Sequence, residues 1–187
     1  MLRDLLDLSR VEGPEHQPAA VQVKSADLFN AVRSTLMPVA QEKQVDLNFE
    51  EPQPLQFISD GRLLNLVLKN LVENGIKYTM PGGKVTVRLT ETDGEAPQVT
   101  LTVTDTGIGI GPEHIDRVFE RFYQVDAARS GSAGRGTGLG LAIVRHAVHA
   151  LGGSVKLESQ VGVGTTVTCV FPQPAPRTIA EPTESNV

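Results

Sequence analysis

The chain has 187 residues, 40% of them hydrophobic, which suits one ordinary domain with its own core. A formal net charge of -5 without a basic run, and an aromatic content of 4%, exclude a nucleic-acid groove or a base-stacking platform. The single cysteine, Cys169, excludes an internal disulfide and a multi-cysteine zinc site, and points to a reducing, cytoplasmic setting.

No apolar run is long enough to cross a bilayer, and the opening residues lack the basic-then-apolar order of a signal peptide, so the piece reads as soluble. In chain order, "MLRDLLDLSRV" carries Leu2, Leu5, Leu6 and Leu8 in a helical pattern, but it is too short to stand alone. It reads as the end of a truncated helix over residues 1–12, followed by a Pro- and Gly-rich connector over 13–24. A helix is expected from Ser25, as N-cap, to about Gln44, with Pro38 as a kink. "VDLNFE" and "LQFI" predict two short strands on either side of "EPQP".

Asp60 then caps a helix, "GRLLNLVLKNLVENGIKY", that stops at the turn "TMPGG". Two alternating strands follow, with Val85, Val87 and Leu89 on one face of the first and Val99, Leu101 and Val103 on one face of the second. Residues 106–136 read as loop, with a short helix around Glu113 to Phe119. A helix from Thr137 to Leu151 carries Leu141, Val144, Val148 and Leu151 as its apolar stripe. "SVKLES" and "TTVTCVF" complete the sheet, with Cys169 as a small core residue, and the polar, Pro-rich residues 172–187 read as a disordered tail. Strands with one clean apolar face predict an α+β, two-layer domain over 25–171, a sheet covered by helices on one side.

Four stretches carry chemistry. "GRGTGLGLAIV" puts glycines at 136, 138 and 140 where a helix begins, so an anion can come close to unpaired N–H groups at the positive end of the dipole. It has neither the Lys-Ser/Thr of a Walker loop nor the preceding strand of a dinucleotide fingerprint. On "NLVENGIKY", Asn70, Asn74 and Lys77 share one helix face opposite Leu64, Val67, Leu68 and Leu71. Amide oxygens suit Mg²⁺ already carrying phosphate oxygens; the competing reading is a surface pair between Glu73 and Lys77. "DTGIGI" continues strand parity so that Asp105 points inward, where an adenine amino group could donate to it, or simply closes a turn. "FERFYQVDAARSGSAGRG" anchors Phe119 and Phe122 before small residues bearing Arg121, Arg129 and Arg135, as a basic lid or a solvated loop.

In this order and at these intervals the four blocks resemble the ATP-binding catalytic domain of sensor histidine kinases, in the Bergerat-fold ATPase superfamily. The resemblance runs from about Leu2 to Phe171 and implies a mixed, mostly antiparallel sheet of about five strands with three helices on one face. It implies Mg²⁺ on Asn74 with Asn70 in support, Lys77 at the polyphosphate, Tyr78 against the nucleotide and Asp105 at the adenine amino group. Gly107 and Gly109 would shape the base pocket, with Thr165 assisting Asp105 through water. Gly136, Thr137, Gly138, Leu139, Gly140 and Leu141 would line the phosphates, and Arg121 and Arg135 would reach from the lid. Gly75 stands where the family usually has alanine.

The activity so implied is transfer of the γ-phosphoryl of ATP to a histidine on an upstream dimerisation domain, with a response-regulator receiver domain downstream. His16, His114, His146 and His149 do not match the acceptor, so it lies elsewhere. His146 and His149 read as a solvated face. The piece itself would be a monomer and its parent a homodimer, often membrane-anchored. Two alternatives stand beside this: an ATPase of the same fold, and a non-catalytic nucleotide- or partner-binding module. Against the ATPase, the water-activating glutamate of gyrase-like and chaperone relatives is replaced by Asn70.

Overall fold

The computed structural model describes residues 2–12, 18–92, 96–125 and 136–174. Eleven elements and one short 3₁₀ turn follow in order: α1 (Leu2–Glu12), β1 (Val21–Lys24), α2 (Ser25–Glu42), β2 (Asp46–Glu50), β3 (Gln56–Ser59), α3 (Gly61–Tyr78), β4 (Lys84–Thr92), β5 (Gln98–Asp105), the 3₁₀ turn Pro112–His114, α4 (Gly140–Ala150), β6 (Ser154–Gln160) and β7 (Gly164–Pro172). The main sheet has five strands in the order β2-β4-β5-β7-β6. β2 runs parallel to β4 and the other neighbours are antiparallel. This is the mixed, mostly antiparallel α+β sandwich expected.

The inner face carries Val85, Val87 and Leu89 of β4, Val99, Leu101 and Val103 of β5, and Val167, Cys169 and Phe171 of β7, all buried. α2, α3 and α4 cover it, with Leu28, Val32, Leu64, Leu68, Val144 and Val148 in the same core. Burial pushes the Cys169 thiol up to about 12, so it stays a neutral core group at physiological pH. The outer face is a field of half-buried threonines, among them Thr104 and Thr166, whose hydroxyls meet at 3.1 Å. Their β-branched side chains suit a pleated surface that water reaches.

Several expectations are corrected in detail. Val21–Lys24, inside the stretch read as connector, pairs antiparallel with β3 as a separate two-stranded sheet. "LQFI" therefore does not join the main sheet. Ser25 does not act as an N-cap: Lys24 occupies that position, and the buried Ser25 hydroxyl bonds Leu55 O at 3.1 Å. Pro38 sits inside α2 without ending it. The helix expected over Glu113–Phe119 is only the 3₁₀ turn followed by turns.

α4 is buried over more of its surface than the stripe predicted. Its sheet side holds Val144, Ala147 and Val148, while Leu8 of α1 packs on Leu139 and Ile143 as a second small core. Two partners on two sides explain the broad apolar face. Among the described residues no helix is long and apolar enough to cross a membrane. The tail beyond residue 174 and most of the lid, including Arg129 and Arg135, lie outside the described residues.

Candidate functional site

α3 carries the polar face that the sequence placed on it. Its start is fixed by Asp60, which is 1% exposed and accepts from Arg62 N at 2.9 Å and Leu63 N at 3.2 Å. Its end is fixed by Lys43, whose Nζ donates to Ile76 O at 2.8 Å and to Lys77 O. Burial, with the charge of Lys77 beside it, holds the Lys43 ammonium below the usual lysine range.

Between these ends the amides face the start of α4. A Cβ at Gly140 would stand 3.3 Å from both Asn70 Oδ1 and Asn74 Nδ2. Asn70 Nδ2 donates to Leu66 O at 2.8 Å, which holds its oxygen outward. Lys77 does not pair with Glu73; Glu73 meets Lys69 at 3.5 Å, and Lys77 Nζ lies 5.1 Å from the Tyr78 ring centroid. A Cβ at Gly136 would stand 2.5 Å from Lys77 Nζ and 3.8 Å from the Tyr78 hydroxyl. The surface-pair reading of Lys77 is thereby replaced by a position against the glycine stretch.

The glycine stretch is held from its other side. Phe122 N donates to Gly138 O at 2.9 Å, and Gln124 Nε2 to Gly136 O at 2.6 Å. Gly138 has φ 71, and a Cβ there would stand 2.6 Å from the Phe122 carbonyl carbon, so only glycine fits. These contacts keep residues 136–139 out of the helix, which starts at Gly140 rather than Thr137. Leu139 is its N-cap, no side chain caps it, and its first turn holds no acidic residue. The first-turn N–H groups of α4 thus begin beside two amides, with the Lys77 ammonium against Gly136 just before them.

Thr137 Oγ1 accepts only a long bond, 3.4 Å, from Leu139 N. Leu139 is fully buried in the small core under α1, and Leu141 packs against the main core, so both side chains are engaged in packing. Of the two anchors expected, Phe119 packs against the main core, whereas Phe122 is 60% exposed and makes its contact through the backbone. Tyr123 packs there too, with its hydroxyl 2.7 Å from His114 Nδ1 and the Arg117 guanidinium 4.3 Å from its ring centroid. Arg121 is exposed, one residue before the Phe122 contact.

Asp105 stands beside Gly75 of α3. The strand register forms a row across the inner face, Val85, Asp105, Thr165 and Ser159, one residue from each of β4, β5, β7 and β6. Gly75 of α3 lies on this row: a Cβ there would be 3.1 Å from Val85 Cγ1 and 3.7 Å from Asp105 Cβ. The position where the family usually has alanine is therefore a close approach of helix to sheet. Burial raises the Asp105 carboxyl above its ordinary range, against the opposing pull of N–H donors from Gly107 at 2.8 Å and Thr165 at 3.3 Å.

Gly107 is buried, and a Cβ there would stand 2.6 Å from Tyr78 O. Tyr78 O also accepts from Ile108 N at 3.1 Å, which ties the Asp105 loop to the end of α3. Gly109, at φ 68, abuts the Gln160 carbonyl. Two residues that sequence reasoning passed over complete this end. Gly164, at φ 138, lets β7 come against the Asp105 carbonyl, where any Cβ would collide. Ser159 bonds Ile110, Gly164 and Thr165. Only the register, which aligns Ser159 with Thr165, could have singled it out.

Asn74 lies on α3, and Asp105, at the end of β5, packs beside Gly75 of the same helix, with Gly107 and Gly136 against Tyr78 and Gly140 against Asn74. The residues gathered around α3 supply a carboxylate acceptor, a cation, two amide oxygens and uncapped helix N–H groups. Residues 59–175 match the family model described as histidine kinase-, DNA gyrase B-, and HSP90-like ATPase, and the chain belongs to that family. It is 37% identical over 173 residues to the sensor-like histidine kinase SenX3 of Mycolicibacterium smegmatis, a match covering 92% of this chain and 44% of that protein. Its fold is similar to full-length ShkA, solved in complex with AMPPNP, with a TM-score of 0.78 and 29% identity over 94% of this chain and 36% of that one. It is similar also to the mycobacterial sensor histidine kinase MprB, with a TM-score of 0.68 and 28% identity over 84% of this chain and 99% of that one.

Within its family the chain has the place of the ATP-binding catalytic domain of sensor histidine kinases. It spans less than half the length of SenX3.

Proposed function

We propose that the chain binds Mg-ATP in this cleft and transfers the γ-phosphoryl group to a histidine on a dimerisation domain of the same protein. A receiver domain would be the next acceptor, and the parent would be a homodimer. The observation that carries the reading is the meeting of Asn70 and Asn74 with Gly140 at the uncapped start of α4, and of Lys77 with Gly136, on the same helix that meets Asp105. One end supplies an acceptor for an exocyclic amine and the other supplies N–H donors and positive charge for a polyphosphate.

The amide oxygens of Asn74 and Asn70 fit a hard divalent cation that brings oxygen ligands of its own. Among the described residues no cluster of three His, Cys, Asp or Glu side chains could hold a metal by itself. Such an ion, when bound, would neutralise phosphate charge. The protein's own part is positioning: Lys77 and the N–H groups of Gly140 and Leu141 hold the phosphates, and Asp105, with Thr165, fixes the base. Arg121 and Arg135 would add charge from the lid. Transfer is favoured over hydrolysis because Asn70 occupies the place of a water-activating carboxylate, while Glu73 is exposed and paired with Lys69. A neutral imidazole brings its own lone pair, whereas water needs a base.

Labelling with γ-phosphate-tagged ATP, in the presence of a supplied dimerisation domain, tests the reading. Asn74→Ala is expected to lower transfer on the order of 100-fold and Glu73→Gln to leave it unchanged. Undiminished labelling by Asn74→Ala would remove the proposed metal role, and steady hydrolysis abolished by Glu73→Gln would make the chain a hydrolase.

A further inference from the structure

We infer that Ser159 sets the base preference of this site by fixing the direction of the Thr165 hydroxyl proton. The inference rests on the nucleotide reading above and concerns which purine the cleft accepts. A serine hydroxyl has one proton to give and two lone pairs to fill. Ser159 Oγ lies 2.9 Å from Gly164 O, which can only accept, so the proton goes there. Ile110 N, which can only donate, lies 2.8 Å away and fills one lone pair. The remaining neighbour is Thr165 Oγ1 at 2.8 Å, and the only role left to it is to donate.

Thr165 therefore spends its proton on Ser159 and keeps its lone pairs for the cleft. The register places it next to Asp105 on the inner face, where neighbouring side chains come within about 5 Å. Both backbone donors to Asp105 fall on Oδ1, and among the described residues none falls on Oδ2. A purine whose 6-position reaches this row meets acceptors side by side. A 6-amino group can donate to them, and a 6-oxo group opposes them, directly or through one water. Ser159 is a positioning residue: without its hydroxyl the Thr165 proton can turn toward the cleft and donate to a 6-oxo group.

The test compares ATP with inosine triphosphate, in which an oxo group replaces the amine, by calorimetry with Mg²⁺ present and thermal melting as a check of folding. The chain should prefer ATP, and Ser159→Ala should reduce the preference about tenfold, mainly by gaining affinity for the inosine nucleotide. Thr165→Val should reduce the preference by itself and leave nothing for Ser159→Ala to change when the two are combined. An unchanged preference in either folded single variant, or a Ser159→Ala effect that persists beside Thr165→Val, would overturn the inference. Equal binding of both nucleotides by the unaltered chain would overturn it alone, whereas binding of neither would overturn the nucleotide reading itself.

Discussion

The N-termini of α3 and α4 solve the same electrostatic problem in opposite ways. Every helix start exposes unpaired N–H groups and the positive end of a dipole. At α3 the chain fills that site with its own carboxylate: Asp60 is buried and accepts from Arg62 N, Leu63 N, Ala19 N at 2.9 Å and the Arg62 guanidinium at 3.2 Å. At α4 no side chain fills it, and glycines and amides surround it instead. A helix start that supplies its own anion serves the fold, and one left open keeps its N–H groups for the phosphates proposed above.

The contrast can be broken at its structural side first. Asp60→Ala should cost about 2 to 3 kcal/mol of folding stability, since it removes a buried cap and orphans the Ala19 N–H, a loss that denaturant unfolding would measure. An effect well below 1 kcal/mol would deny the carboxylate its role. Next comes acid. Burial alone would raise the Asp60 carboxyl, but its four donors outweigh that and hold it down at about 2, against an ordinary value of 3.8. A depressed acid contributes its stability in full above about pH 4 and loses it as pH falls toward 2, here about 2 kcal/mol, which should be absent from the acid titration of Asp60→Asn.

The smallest of these effects sharpens the ligand side. Thr137→Asp would put a carboxylate two residues before Leu139, the N-cap of α4, and so ahead of its open helix start. Melting temperature should hold or rise slightly, while ATP affinity falls about tenfold, because the protein's own anion now competes with phosphate. Unchanged affinity on calorimetry would show that phosphates do not use this helix start.

Legibility followed the range of the interaction that decides each feature. Asp60 as a cap, the polar face of α3 and the inward parity of Asp105 were readable because each depends on residues within a turn or a strand. The start of α4 was read three residues early. Its N-terminal limit is set by Phe122 and Gln124, which hold Gly138 and Gly136 from another part of the chain. β1 was missed because four residues, mostly exposed, have no strand pattern until β3 pairs with them. Lys77 invited a pairing with Glu73 at helical spacing, and tertiary contact with the glycine stretch took it instead.

By itself the sequence determined which residues could do chemistry, and on which local face each would stand, since periodicity and capping are properties of neighbouring residues. Tertiary structure alone decided which of those faces meet. It joined Asp105 to Asn74 through Gly75, opened the start of α4 to the amides of α3, and drew Ser159 and Gly164 to Asp105 by strand register. Register and helix-on-sheet packing arise from burial summed over the whole core, a quantity that no single stretch of chain contains.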